Sequence, residues 1–403
     1  MVPGDFTRRW VTTITVLRSR ITERKLPGNF CALSCDQFGV TTYSPNGRGV
    51  VLTFAAALAV SLTACGSADS APNSAKETSA PAPATAAPTA YPLTIENCGR
   101  ELTFDKAPSR VLLLNGASVA EVESFVALGI QDKIAANSQS YGVSDDPSMV
   151  AKVKAVPTGG LRLNNNFEVP REQVLAQQPD LVISTWAGGF DDKIGSITRD
   201  QLTQAGINSY VTPANCANGD AAASPADQTK YKEQSVESSN ELLLQLGQIF
   251  DVQQRAADHV NKARADIDQI NRSVAGKPKK NVLVVYPGMA MMNSNGLPAV
   301  FAGGIFDDLV ARAGGVNVFA GKTNAELAEI NAEALASAKV DVLVVGLYQE
   351  NEKADVLAQD LFAKFPQWEA SANKKYTSVS DSFYLGPLNA LAVKKIADAA
   401  HGN

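Results

Sequence analysis

The sequence predicts an α/β protein of two lobes joined by a single long α-helix, with a ligand cleft between the lobes. Three observations carry that expectation. Short apolar runs of buried-strand type alternate with helical spacing on both sides of the chain's middle, which is the pattern of parallel sheets. Between residues 234 and 275 there is no proline, and Ile249, Val252, Ala256, Val260, Ala263, Ile267, Ile270 and Val274 step by three and four. The two halves also echo each other. Glu172 precedes Asp180, and Glu333 precedes Asp341, by the same eight residues, each time on a short helix that feeds an apolar strand starting at Leu181 or Val342.

Taken in order, residues 1–64 read as a leader. Arg8, Arg9, Arg18, Arg20, Arg24, Lys25 and Arg48 make it basic, and residues 50–64 form an apolar run long enough for an export signal but too short to span a membrane. The run ends in Leu62-Thr63-Ala64-Cys65, which resembles the lipobox of bacterial lipoproteins, where the cysteine takes lipid and becomes the first mature residue. Residues 65–90 are rich in Ala, Ser, Thr and Pro and read as a flexible tether. The stretch before the apolar run is long for a leader, which fits either a start codon set too far upstream or an extended leader.

The N-terminal lobe is expected over residues 91–233. Leu93 to Ile95 and Glu101 to Phe104 alternate like a hairpin, with Asn97-Cys98-Gly99 at its turn. A strand follows from Val111 to Leu114, then a helix from Ser118 to Leu128 opening on Ser118-Val119-Ala120-Glu121, the spacing of a capping box. Strands are expected at 134–137, 181–185 and 210–212. The linking helix covers 234–275; unbroken, it would run on the order of 60 Å, with Gly247 as a candidate break. The C-terminal lobe, 276–403, resumes with a strand from Val282 to Tyr286.

The formal net charge of −5 becomes more negative without the basic leader, which argues against nucleic acid or an acidic membrane surface as a partner. Of the five cysteines, Cys31 and Cys35 fall in the leader and Cys65 at its end. Cys98 and Cys216 are left as two separate thiols or as a pair, and an exported chain favours the pair. So long a loop would contribute roughly 4–5 kcal/mol in the chain-entropy model.

A family resemblance rests on Pro108-Ser-Arg-Val111, Ala127-Leu-Gly-Ile-Gln-Asp-Lys-Ile134, Glu172 through Ile183, Phe306-Asp-Asp-Leu, Ala313-Gly-Gly-Val-Asn-Val-Phe319 and Phe365-Pro-Gln-Trp368. With these, residues 91–401 resemble the substrate-binding proteins of bacterial ABC importers for iron-siderophore complexes, haem or corrinoids, the periplasmic binding protein class whose Rossmann-like lobes are linked by one long helix. The resemblance implies a protein without catalytic residues or a resident cofactor, held outside the cytoplasm by lipid at Cys65. Its expected partners are an ABC permease with its ATPase and a metal-chelate small molecule. By motif position, Glu172 and Glu333 are the lobe-surface glutamates that meet permease arginines, which agrees with the internal echo.

Ligands of parallel sheets gather at the carboxyl ends of the strands. The loops there offer Tyr141, Trp186, Phe190, Tyr286, Met289, Tyr348 and Tyr384 as candidate ligand-binding residues, and Met291, Met292 and Phe383 as residues equally suited to a core. Arg162, in a Gly- and Asn-rich loop, would suit a carboxylate or catecholate oxygen if it points inward. The two histidines, His259 and His401, are not placed to ligate a bare metal, so a complete ferric-siderophore complex is expected, ahead of a corrinoid, haem or a deazaflavin-cofactor precursor. Gly116-Ala117-Ser118-Val119-Ala120 sits where a hydrolase nucleophile elbow would, but it lacks the last glycine and a nearby base. A lipid-anchored hydrolase is therefore the distant alternative.

Overall fold

The structure, a computed structural model, describes residues 86–402; the leader, Cys65 and the tether up to residue 85 lie outside the described residues. The last tether residues are tied down. Ala86 N–H donates to Gln254 Oε1 and Thr89 N–H to Asp251 Oδ1, both at 2.7 Å, so the folded part starts before Tyr91.

Strands β1 (Leu93–Glu96) and β2 (Glu101–Phe104) form an antiparallel hairpin whose alternation buries Leu102 and Phe104. Behind it β3 (Val111–Leu113), β4 (Ile134–Asn137), β5 (Leu181–Ser184) and β6 (Asn208–Val211) make a parallel sheet in the order β4-β3-β5-β6. Four short helices cross between the strands: α1 (Ala120–Ala127), α2 (Pro147–Lys154), α3 (Arg171–Ala176) and α4 (Arg199–Gln204). The strands are mostly apolar and buried along nearly their whole length because helices cover both faces of a parallel sheet. Cys98, in the hairpin turn, is bonded to Cys216, just beyond β6, across a sequence separation of 118.

After α5 (Pro225–Lys232) the expected continuous helix is two helices, α6 (Val236–Ile249) and α7 (Gln253–Val274). They pair antiparallel. Val236 packs in the core of the second lobe and Ile249 in that of the first, while along α7 Ala256 and Val260 serve the first core and Ile267 and Val274 the second. The chain reverses at Asp251, which takes the left-handed conformation (φ 54°), not at Gly247. The sequence period survives the reversal because both helices turn an apolar face to the same two cores. One helix, α7, therefore joins the lobes; its 22 residues span about 33 Å.

The second lobe contains β7 (Lys280–Tyr286), β8 (Ala299–Val300), β9 (Gly315–Asn317), β10 (Val342–Gly346) and β11 (Tyr376–Val379). Its helices are α8 (Gly304–Arg312), α9 (Asn324–Ala328), α10 (Ala332–Ser337), α11 (Ala354–Lys364), α12 (Glu369–Asn373) and α13 (Asn389–His401). The parallel strands run β9-β7-β10-β11, the same order as in the first lobe, and β8 adds an antiparallel pair at the upper end of β7. The echo is physical as well as topological. Asp180 accepts the backbone N–H of Ser109 (2.7 Å) and of Arg110 (3.0 Å) just before β3, and Asp341 accepts that of Asn281 (2.7 Å) at the start of β7. In each lobe the aspartate that closes the short helix–strand unit pins the neighbouring central strand.

Candidate functional site: the cleft between the lobes

The carboxyl ends of both sheets face a common cleft, where two adjoining cavities of about 380 and 550 Å³ share Ala117, Thr185, Asn218, Met289 and Met292. Volumes of this order suit a ligand of a few hundred daltons or more. The smaller cavity is walled mainly by the second lobe, with Phe301, Ile305, Phe306 and Tyr384 opposite Asn215, Asn218 and Gln234. The larger one lies under Tyr141, Trp186, Met291 and Tyr348.

Five expected ligand residues meet here: Tyr141, Trp186, Met289, Tyr348 and Tyr384. Trp186 lies flat because two glycines make room for its ring. A Cβ on Gly188 would sit 2.2 Å from Trp186 Cζ3, and one on Gly219 would sit 2.6 Å from it. Tyr141 of the first lobe stacks on Tyr348 of the second, centroids 4.6 Å apart and planes within 9°, so two rings close one side of the cleft. Burial raises the pKa of Tyr348, with Tyr141 adding to it, and burial also raises that of Tyr384; both phenols are neutral donors.

Three expectations are corrected. Phe190 is buried in the first lobe beneath Ile197 and Leu202, because its glycine-flanked turn folds back onto the sheet instead of out toward the cleft. Tyr286 is fully buried under the cleft floor, edge-on to Phe301 and Tyr384, where the missing side chain of Gly346 admits its ring. Arg162 lines neither cavity; the Gln173 side chain bonds both its backbone N–H (2.8 Å) and its carbonyl (2.9 Å), which holds the loop toward α3. Phe383 belongs to the core, whereas Met291 and Met292 are exposed at the cleft mouth. Phe301 and Phe306 are wall residues with a readable sequence signal, since Phe301-Ala-Gly-Gly-Ile-Phe306 repeats the aromatic–glycine pattern of Trp186-Ala-Gly-Gly-Phe190.

The expected capping box at α1 does not form. The helix starts at Ala120, after Val119, and the Val119 N–H is taken by Asp381 Oδ1 of the opposite lobe at 3.0 Å. Glu121 instead turns inward to the cleft, accepting from Gln139 Nε2 (2.9 Å) and Thr212 Oγ1 (3.1 Å). Burial raises its pKa, against those hydrogen bonds. Glu168, lining the larger cavity, is pushed up by burial to about 7, and its Oε2 finds no partner among the described residues.

Further contacts tie the lobes together beside the cleft. Gly142 N–H donates to Tyr348 O (2.8 Å), and Asp145 accepts from the backbone of Ser380 (2.6 Å) and Ser382 (3.1 Å) and from Lys395 Nζ (2.5 Å). Glu123 and Asp381 are buried alongside. Burial and the neighbouring acids raise both, Asp381 to about 8. Among the described residues no group of three His, Cys, Asp or Glu side chains is arranged to hold a metal ion.

On the outer face, Glu172 in the first turn of α3 and Glu333 in the first turn of α10 are both exposed and occupy equivalent places in the two lobes. A hydrogen bond from its own backbone and another from Arg171, at 3.2 Å, hold the Glu172 carboxyl below the usual range. It is ionised at neutral pH.

A two-lobed α/β fold with one crossing helix and a cleft at the strand ends defines a solute-binding protein. The family model described as "Periplasmic binding protein" matches residues 117–376, and the chain belongs to that family, extracytoplasmic binding proteins that serve ABC transport. No curated protein matches the chain. Among solved structures, the ABC-type Fe3+-hydroxamate transport system structure from Saccharomonospora viridis aligns at 23% identity and TM-score 0.57, over 77% of this chain and 99% of that one. A periplasmic binding protein from Veillonella parvula aligns at 16% and 0.57, over 77% and 98%. The periplasmic vitamin B12 binding protein BtuF of Vibrio cholerae aligns at 16% and 0.50, over 73% and 96%. At these identities the likeness is one of fold.

Proposed function

We propose that this chain is the lipid-anchored substrate-binding protein of an ABC importer, that it captures a ferric-siderophore complex in the cleft, and that Glu172 and Glu333 present the loaded protein to the permease. The cleft itself carries the reading. It is roomy, walled by aromatic and Met side chains with amides and hydroxyls interspersed, and built, among the described residues, without a cluster of protein metal ligands. Such a cleft suits a metal whose coordination shell is already filled by an organic chelator. The symmetric placement of the two glutamates supports docking, since carboxylate–guanidinium pairs set register and speed encounter while staying easy to break. Docking then requires Glu172 to leave Arg171, a cheap exchange between exposed groups.

Fluorescence titration of the protein with ferric siderophores, their iron-free forms, haem and cobalamin tests the capture step. Trp186 reports from the cleft wall, while Trp368 is buried in the second lobe. Saturable quenching by a ferric complex and not by its iron-free form is expected. Quenching by haem or cobalamin alone would keep the importer and replace its ligand. For delivery, Glu172→Arg with Glu333→Arg is expected to abolish uptake in cells while leaving the titration unchanged; uptake at the normal rate would refute the docking role.

A further inference from the structure

Resting on the importer reading, we propose that the cleft selects chelates by charge: an uncharged complex binds best, a cationic one is accepted, and an anionic one is turned away. None of the described residues lining either cavity is Lys, Arg or His. The ionisable groups that do line them are acids and phenols, namely Glu121, Glu168, Tyr141, Tyr231, Tyr348 and Tyr384. A negatively charged ligand entering here would surrender its hydration and meet no counter-charge among these groups.

Part of the positive potential that the backbone offers is already engaged. The N-terminus of α1 abuts the cleft at Ala117 and Ser118, where backbone N–H groups favour an anion, but Asp381 takes the Val119 N–H. The expected cation, Arg162, lies outside both cavities. A cationic ligand fares better, because Glu168 beside it can ionise near neutral pH. For an uncharged ligand the three methionines, Phe301 and Phe306 supply apolar contact, and Asn218 and Gln234 supply amide hydrogen bonds.

The test holds the scaffold fixed and changes one charge. A linear ferric tris-hydroxamate bearing a terminal ammonium has net charge about +1, its N-acetyl form about 0 and its N-succinyl form about −1, by counting ionised groups. Titrated against the full chain by Trp fluorescence and calorimetry at pH 7, the acetyl form is expected to bind tightest and the succinyl form about 100-fold more weakly, the scale of an unpaired charge brought out of water. Met292→Lys, at the exposed mouth, is expected to recover most of that loss for the succinyl form and to weaken the ammonium form. Succinyl binding equal to acetyl, or a Met292→Lys substitution without effect on the order, would overturn the charge filter while leaving the importer intact. Silence of all three forms with tight binding of an anionic ferric complex of another class would overturn the filter and keep the ligand reading, whereas silence toward every ferric complex would remove both.

Discussion

Glu168 sits where two demands meet, lining a polar-poor cavity and yet burying a carboxyl. Its pKa of about 7 in the folded protein lies above the ordinary 4.5, so the folded state keeps a proton that the unfolded chain releases between those values. The associated stability is fully present below about pH 4.5 and is lost as pH rises through 7. Glu168→Gln removes the titration and keeps the shape. Urea midpoints should show the variant gaining on the parent between about pH 4.5 and pH 8; a constant difference would mean that Glu168 is solvated in solution. The same residue shows what a sequence conceals. Trp186 and Tyr348 are legible as cleft residues because they follow apolar strands, but a glutamate in an Asn-rich loop carries no sign of burial, and Tyr286, at the end of its strand, points down into the core instead of up.

Among the elements, the strands are the most legible, since a few consecutive buried apolar residues between turn signals have few other uses. Helix boundaries depend on partners far along the chain. The spacing of Ser118 and Glu121 fits a capping box, yet the Val119 N–H beside it is taken by Asp381 from 262 residues away. That contact makes α1 a helix whose cap belongs to the other lobe. Asp381→Ala is expected to cost about 1 kcal/mol for the lost cap, within the range for N-cap deletions, whereas Asp381→Asn keeps an acceptor and costs less. Chemical denaturation of both variants at about pH 6, below the raised pKa of Asp381, checks the order; equal losses would deny the capping role. The helix pair α6–α7 teaches the same lesson. Ile249, Val252 and Ala256 stay in helical phase across the reversal, so hydrophobic period alone cannot reveal it, and the left-handed Asp251 marks the turn.

At the scale of the whole molecule, the lobes are coupled by more than the α7 connection. Helix α6 runs between the two cores, α7 returns across them, and Asp145, Asp381 and the Tyr141–Tyr348 stack bridge the same boundary. Bending α7 would break backbone hydrogen bonds along a 22-residue helix, so closure is expected to be a small rocking. Solution scattering with and without bound chelate should therefore give nearly superimposable profiles, with a change in radius of gyration below about 1 Å, the scale of pre-organised binding. A contraction of several ångströms would show that the bridge opens and that the hinge is soft.

The bond between Cys98 and Cys216 has a consequence for endurance outside the cytoplasm. All four strands of the first lobe's sheet, β3 to β6, lie inside the covalent ring it closes, and α6 and α7 lie outside it. A protease that cuts any exposed loop between those cysteines separates nothing: both fragments remain one molecule, the cut lobe still held on its ring and still continuous with the helix that carries it. The second lobe contains no cysteine, so a cut there has no such tie. The part of the first lobe inside the ring can thus be nicked and remain in place, whereas a cut in α5 to α7 or in the second lobe severs the chain.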